Sequence, residues 1–427
     1  MLIEFTTRNF RSIRDEATLS LVAESLKNNP SETFSPTKDL DVLPVAGIFG
    51  PNASGKSNML KAIFFFKIAI ESTNYLNVPI VSNPLLQPFL LDEKSSKKPT
   101  YFQIVLWNKE TKSEYRYGFE VTKKEILSEW LIESSKANKN VTTKTLFTRE
   151  ASKITVHKSM DKNPDELIKK VHPNGLALTV FAQFANPSAL RVYNLIKDKL
   201  FISDGTFDLM PLTQIASEIL HKNPEYKSLL LTFLKSADLP IVDLNLDRKQ
   251  LDESQLQQMM QVMPKSIADA MSKQDIFSNK IQTSYKIYGT NKTVLFDLAE
   301  FESIGTQRLY GLGAIMLQVM DRGGTLVIDE FGTSLHPFLS REIIKMFQNK
   351  KLNRNNAQLV FSSHDTFLLS SKGPNLRRDQ VWFTEKDKTE AATLHSLAEY
   401  KTKKDLEIAK NYLEGRFGAV PVTTFED

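Results

Sequence analysis

The sequence predicts an α/β fold: a mixed sheet with helices, an antiparallel β lobe, and a mostly helical insertion. Three observations carry this. First, the apolar run Val45 to Phe49 passes through a glycine-containing turn into a helical pattern, Met59 to Phe64. Second, the apolar runs Thr325 to Ile328 and Gln358 to Phe361 end in Asp329-Glu330 and Ser362-Ser363-His364-Asp365. Short unbroken apolar runs of this kind suit strands buried on both faces. Third, Tyr101 to Trp107 and Glu114 to Val121 alternate apolar and polar residues across Asn108 to Lys112, as an antiparallel hairpin does. Three parts follow: 1–135 with the turn and β lobe, 136–283 with a basic hairpin and the helical insertion, and 284–427 with the later strands.

The chain has 427 residues, 41% hydrophobic and 25% charged, enough for two or three soluble globular domains. Its net charge of +5 permits nucleic-acid contact without arguing for it. With no cysteine, disulfides, thiolate zinc sites and cysteine nucleophiles are excluded. Met1 to Thr6 alternates like a strand and does not read as a secretory signal. The longest apolar stretch, Ile63 to Ile70, is broken by Lys67 and falls short of the roughly 18 residues of a membrane span. A cytoplasmic chain with no membrane partner is expected.

In chain order, residues 1–23 read as strand, turn and strand, with Arg11 and Ser12 in the turn. That turn is either merely solvated or beside a ligand. Residues 24–43 read as a polar surface loop, and Glu125 to Glu133 extends the β lobe. Residues 136–170 are polar and basic, among them Lys144, Arg149, Lys153 and Lys170. A solvated hairpin and helix face explains them better than a nucleic-acid surface, because stacking aromatics are scarce. Helical patterns cover Leu176–Ala185, Ala189–Leu200, Leu209–Leu220, Ser228–Leu234 and Leu251–Met271, without a long heptad run. Asp243-Leu244-Asn245-Leu246-Asp247 suits an exposed strand better than a metal site. A hairpin is expected across Gly289 to Lys292.

The chemistry concentrates at Gly50-Pro51-Asn52-Ala53-Ser54-Gly55-Lys56-Ser57-Asn58, which fits G-x-x-x-x-G-K-S between a strand and a helix. Glycines let backbone N–H groups turn inward onto phosphate oxygens, and the helix N-terminus adds its positive dipole end. Lys56 would reach the β- and γ-phosphates, and the Ser57 hydroxyl would bind Mg²⁺. Asp329, ending its strand, would stand next to that Mg²⁺, and Glu330 is suited to orient or deprotonate a water. His364, at a strand's C-terminal end, points to the ligand crevice of an α/β sheet. Glu302-Ser303-Ile304-Gly305-Thr306-Gln307-Arg308, before a helix from Leu309 to Met320, reads either as a generic cap and turn or as a second anion cradle through Ser303, Gly305 and the helix N-terminus.

Together these motifs resemble the ABC-type ATPases of the SMC and RecF kind, with an ABC-type P-loop NTPase head. The resemblance covers roughly 1–130 and 284–427. Asn9-Phe10-Arg11-Ser12-Ile13, the Glu-Ser-x-Gly-Thr signature and the ending Tyr412 to Pro421 are similar to compact, standalone ATPases of anti-phage defence. The resemblance implies ATP and Mg²⁺ held between two heads. Lys56 and Ser57 of one copy would face Ser303 and Gly305 of the other, in a homo-oligomer that is a head-to-head dimer or a higher ring. It implies that Gln87 contacts Mg²⁺ and the attacking water, although Asn83 offers the same amide chemistry. Arg11 and Ser12 would lie near the nucleotide, Glu330 would be the general base, His364 would sense the γ-phosphate, and Ser334 to His336 would link the two sites. A separate effector, a nuclease or toxin, and a phage-encoded trigger complete the expectation. The absence of a Cys-x-x-Cys hook disfavours a long-armed repair ATPase, and the short stretch after His364 disfavours a fused nuclease. A DNA-binding repair ATPase and an ATP-stabilised scaffold are the alternatives.

Overall fold

The computed structural model describes residues 1–25, 33–75, 80–137, 140–161, 163–203, 209–250, 254, 256, 277–333, 335–400 and 407–420. The helix expected over 251–271 lies almost wholly outside the described residues, as do Ser334 and Pro421.

Two large sheets define the molecule. The lobe sheet is built of β1 (Leu2–Arg8), β2 (Ala17–Ser20), β6 (Thr100–Asn108), β7 (Ser113–Val121), β8 (Ile126–Ala137), β9 (Asn140–Glu150) and β10 (Lys153–Val156). Its strands run in the order β10-β9-β8-β7-β6-β1-β2, all antiparallel. The expected hairpin is thus part of a seven-stranded sheet. The boundary expected at 135/136 falls inside β8, because the basic hairpin β9–β10 continues the same ladder. Residues 24–43 are not simply a loop: β3 (Phe34–Thr37) and β4 (Leu40–Val42) pair with each other, and Phe34 and Val42 are buried.

The second sheet holds β5 (Val45–Phe49), β11 (Leu200–Ser203), β15 (Thr325–Ile328), β16 (Gln358–Ser363), β17 (Val381–Lys386) and β18 (Ala392–Ser396). Its order is β11-β15-β16-β5-β17-β18, parallel except at the β17–β18 edge. Helices cover both faces, which is why these strands read as continuous apolar runs. Ala46, Ile48, Val327 and Val360 pack towards α1 (Lys56–Tyr75), α3 (Ala177–Gln183), α4 (Pro187–Lys199) and the lobe. A short helix, α2 (Asp165–Ile168), precedes them. Val45, Phe49, Leu326, Ile328, Leu359 and Phe361 pack on the other side. There they meet α5 (Leu209–Lys222), α6 (Tyr226–Ser236), α8 (Ile304–Arg322) and α9 (Pro337–Gln348).

The inserted region is therefore built into the head and is less purely helical than expected. Its β11 pairs with β15, so Leu200 begins a strand where the helical pattern suggested a helix end. A three-stranded sheet, β12 (Asp243–Gln250), β13 (Phe277–Lys286) and β14 (Thr293–Asp297), leads through α7 (Leu298–Phe301) into α8. On β12, Asp243 pairs with Lys227 at 2.8 Å and Asp247 with Lys249 at 3.1 Å, the arrangement of a surface strand. The buried Gln358 fastens the two large sheets together. It accepts from Leu2 N at 2.7 Å and donates to Leu2 O at 2.9 Å and Leu43 O at 3.2 Å. Among the described residues no helix is long and apolar enough to cross a membrane.

Candidate active site

Because β5, β16 and β15 are parallel neighbours, their C-terminal ends lie side by side. The loop 50–55 follows β5, Asp329-Glu330 follows β15 and His364 follows β16, so one edge gathers all three groups.

The loop is shaped by what stands behind it. Gly50 has φ +153°, and a Cβ there would lie 2.4 Å from the Thr384 carbonyl oxygen on β17. Gly55 has φ +117°, and a Cβ there would lie 2.5 Å from Ala392 Cβ on β18. Only glycine accommodates either backbone. Ser54 is buried and shares a 2.6 Å hydroxyl–hydroxyl bond with Thr384, while Asn52 is exposed. Lys56 is buried and donates to Gly50 O at 2.7 Å and Pro51 O at 2.9 Å. Burial pushes its ammonium pKa below the usual lysine value, with Asp329 and Glu330 opposing that shift.

Ser57 and Asp329, distant in sequence, meet: Ser57 Oγ donates to Asp329 Oδ1 at 3.1 Å. The same oxygen accepts from Glu330 N at 3.2 Å and from the Ser362 hydroxyl on β16. Glu330 N also donates to Ser362 Oγ at 2.9 Å. Glu330 is exposed and has φ +52°, a left-handed conformation that a residue with a Cβ seldom adopts. His364 is exposed at the end of β16.

The turn from Asn9 to Ser12 joins this edge. Asn58 Nδ2 donates to Ser12 Oγ at 2.7 Å, and Ser12 O accepts from Ala392 N at 2.8 Å. Arg11 N donates to Gln87 O at 2.7 Å and Arg11 Nε to Leu85 O at 3.3 Å. Burial lowers the Arg11 pKa. The Gln87 loop is thereby tied to the phosphate-loop side of the molecule, and Gln87 itself is exposed. Asn83, the alternative amide, has Oδ1 engaged by Leu85 N at 2.9 Å.

Ser303 caps α8 by accepting from Thr306 N at 3.1 Å, so Gly305 lies within the helix's first turn. The helix begins at Ile304 rather than at the expected Leu309, since that cap starts it earlier. Ser303 and Gly305 make no hydrogen bond to residues 50–58 among the described residues. Instead Arg308 NH1 donates to Thr333 O at 2.7 Å, linking this turn to the one after Glu330. His336 caps α9 through Nδ1, which accepts from Phe338 N at 3.2 Å.

Sequence reasoning missed Thr384, Ala392 and Ser362. Only Ser362 had a visible signal, as a polar residue at a strand's end before His364.

The arrangement suits a Mg²⁺-nucleotide. A glycine cradle precedes a helix N-terminus, and the hard oxygens of Ser57 and Asp329 converge. Fold and site define a phosphate-loop NTPase. The chain belongs to the family described as "AAA domain, putative AbiEii toxin, Type IV TA system", which matches residues 45–370. A solved structure of an SMC head bound to the C-terminal winged-helix domain of ScpA is similar over 96% of this chain and 99% of that one. Sequence identity is 12% and the TM-score 0.42. No curated protein matches the chain.

Proposed function

We propose that this chain is an ATP-hydrolysing head that closes on a second copy, and that its nucleotide cycle holds and releases a separate effector in anti-phage defence. The observation that carries the enzymatic part is the continuous network Ser57–Asp329–Ser362–Glu330. It joins the phosphate loop to a candidate base through one carboxylate.

In this reading the loop amides and Lys56 hold the phosphates, and Ser57 and Asp329, with Gln87, hold Mg²⁺. Mg²⁺ held by these oxygens would supply positive charge against the charge that develops as phosphate is transferred. Glu330 accepts a proton from water as its oxygen bonds the γ-phosphorus and the bond to the bridging oxygen breaks. His364 contacts the γ-phosphate. Ser303 and Gly305 meet the nucleotide of the partner copy. The exposed apolar side chains Ile304 and Phe338 near this edge, and Leu90 and Leu91 beyond Gln87, support closure on another surface.

The defence reading rests on the family's toxin–antitoxin description and on the signature and Tyr412–Pro421 motifs. Those motifs resemble those of AriA, the ATPase of the PARIS system, and in this reading the chain works in the cytoplasm. A repair role on DNA has less support, since Arg149, counted among the basic residues, is buried beside Glu129. The test is phosphate release by the purified chain and its Glu330→Gln variant, with nucleotide binding measured in parallel. Turnover should fall at least about 100-fold while ATP binding persists. A parent with no Glu330-dependent turnover would refute the enzymatic reading.

A further inference from the structure

We infer that Ser362 is a positioning residue that sets both acids of the site with a single hydroxyl; the inference rests on the ATPase reading above. Ser362 is wholly buried in β16, the strand between the phosphate-loop strand and the acidic strand. A buried hydroxyl needs hydrogen-bond partners, and here both belong to the site. Its proton goes to Asp329 Oδ1, and its oxygen accepts from Glu330 N at 2.9 Å.

The two bonds have different consequences. Asp329 Oδ1 takes donors from Ser57, Ser362 and Glu330, which saturates that oxygen. The rotamer of the carboxylate is thereby fixed, and Oδ2 remains as the oxygen able to take a water or a cation. The bond from Glu330 N holds that residue in its left-handed conformation, φ +52°. Since φ sets where the side chain leaves the backbone, Ser362 also sets the direction of the candidate base. The neighbouring backbone reinforces it: Phe331 N donates to Ser362 O at 2.8 Å, and Ser363 Oγ to Phe331 O at 3.0 Å. In this inference Ser362 acts through Asp329 and Glu330.

Ser362→Ala removes the hydroxyl and adds no bulk; Ser362→Thr keeps it. In steady-state assays Ser362→Ala should lower kcat about 10–100-fold, the range for residues that orient metal ligands. The KM for ATP should stay within about threefold, since the phosphate loop is untouched. A readout independent of turnover is the affinity for a fluorescent ATP analogue, with Mg²⁺ and with EDTA. Mg²⁺ should tighten binding to the parent and to Ser362→Thr more than to Ser362→Ala, with EDTA values alike. Ser362→Ala matching the parent in both kcat and Mg²⁺-dependent tightening would overturn the inference while Glu330-dependent turnover in the parent leaves the ATPase reading standing. A parent without that turnover removes both.

Discussion

Gly50 and Gly55 are glycine for different physical reasons, and the difference is testable. The added Cβ at Gly50 meets the carbonyl oxygen of Thr384, a backbone atom that cannot swing away without moving β17. At Gly55 it meets Ala392 Cβ, which a substitution can delete. Gly50→Ala should abolish ATP binding and destabilise by about 1–3 kcal/mol, with no rescue from Thr384→Ser. Gly55→Ala should be partly rescued by Ala392→Gly, the remainder reflecting its positive φ. Thermal unfolding and nucleotide titration of the four variants check both; equal rescue at the two positions would contradict the geometry.

Among the elements, α3 is held by a buried carboxylate on another strand. Glu129 of β8 accepts from Ala177 N at 2.8 Å, Leu178 N at 2.9 Å and the Tyr117 hydroxyl at 3.0 Å. Arg149 lies 3.9 Å away and donates to Gly175 O at 2.7 Å and Pro173 O at 3.0 Å. This cluster fastens the lobe to the helix that rests on the parallel sheet. Glu129→Ala leaves the Arg149 charge and three donors stranded and should cost about 3–5 kcal/mol. Burial raises the Glu129 pKa above 4.5, against the pull of its donors and Arg149. The folded state thus holds this proton more readily than the unfolded one. Its contribution is fully present below pH 4.5 and is lost as pH rises through the folded pKa. Urea midpoints followed over about pH 4–8 should show that decline in the parent and its absence in Glu129→Gln.

The same elements explain what could be read from the chain alone. Val45 to Phe49, Thr325 to Ile328 and Gln358 to Phe361 were legible because a strand buried on both faces must be apolar throughout. The turns after them stood out because Gly50, Gly55 and the polar residues Ser57 and Asp329 interrupt otherwise apolar or helical patterns. Glu129 looked like an ordinary polar position, since its partners come from three other elements. Likewise β11 is four residues long and exists because β15 lies beside it, so local pattern assigned Leu200 to a helix. Thr384 carried no motif because it acts through a backbone oxygen and one hydroxyl.

At the scale of the whole molecule, the proposed closure on a second copy can be separated from folding and from nucleotide binding. Ile304 is 56% exposed in the first turn of α8, next to Ser303. An acid there suits the helix dipole, so Ile304→Glu should leave the monomer unchanged or stabilised by about 0.3–1 kcal/mol. It should bind ATP like the parent, yet fail to dimerise with ATP in sedimentation velocity and lose turnover. An ATP-dependent dimer surviving in Ile304→Glu would place the contact elsewhere.

The strand order also has a consequence in time. Gly47, at the middle of the phosphate-loop strand, pairs with Phe361 on one side and Val381 on the other. A ribosome adding about 5–20 residues per second reaches Val381 roughly 15–70 s after Gly47. For most of that interval the nascent loop lacks both flanking strands, because β16 is made only shortly before β17, while the hairpins β6–β9 become available to fold much earlier. During that stretch of synthesis the lobe can fold while the phosphate loop still lacks the strand behind Gly50.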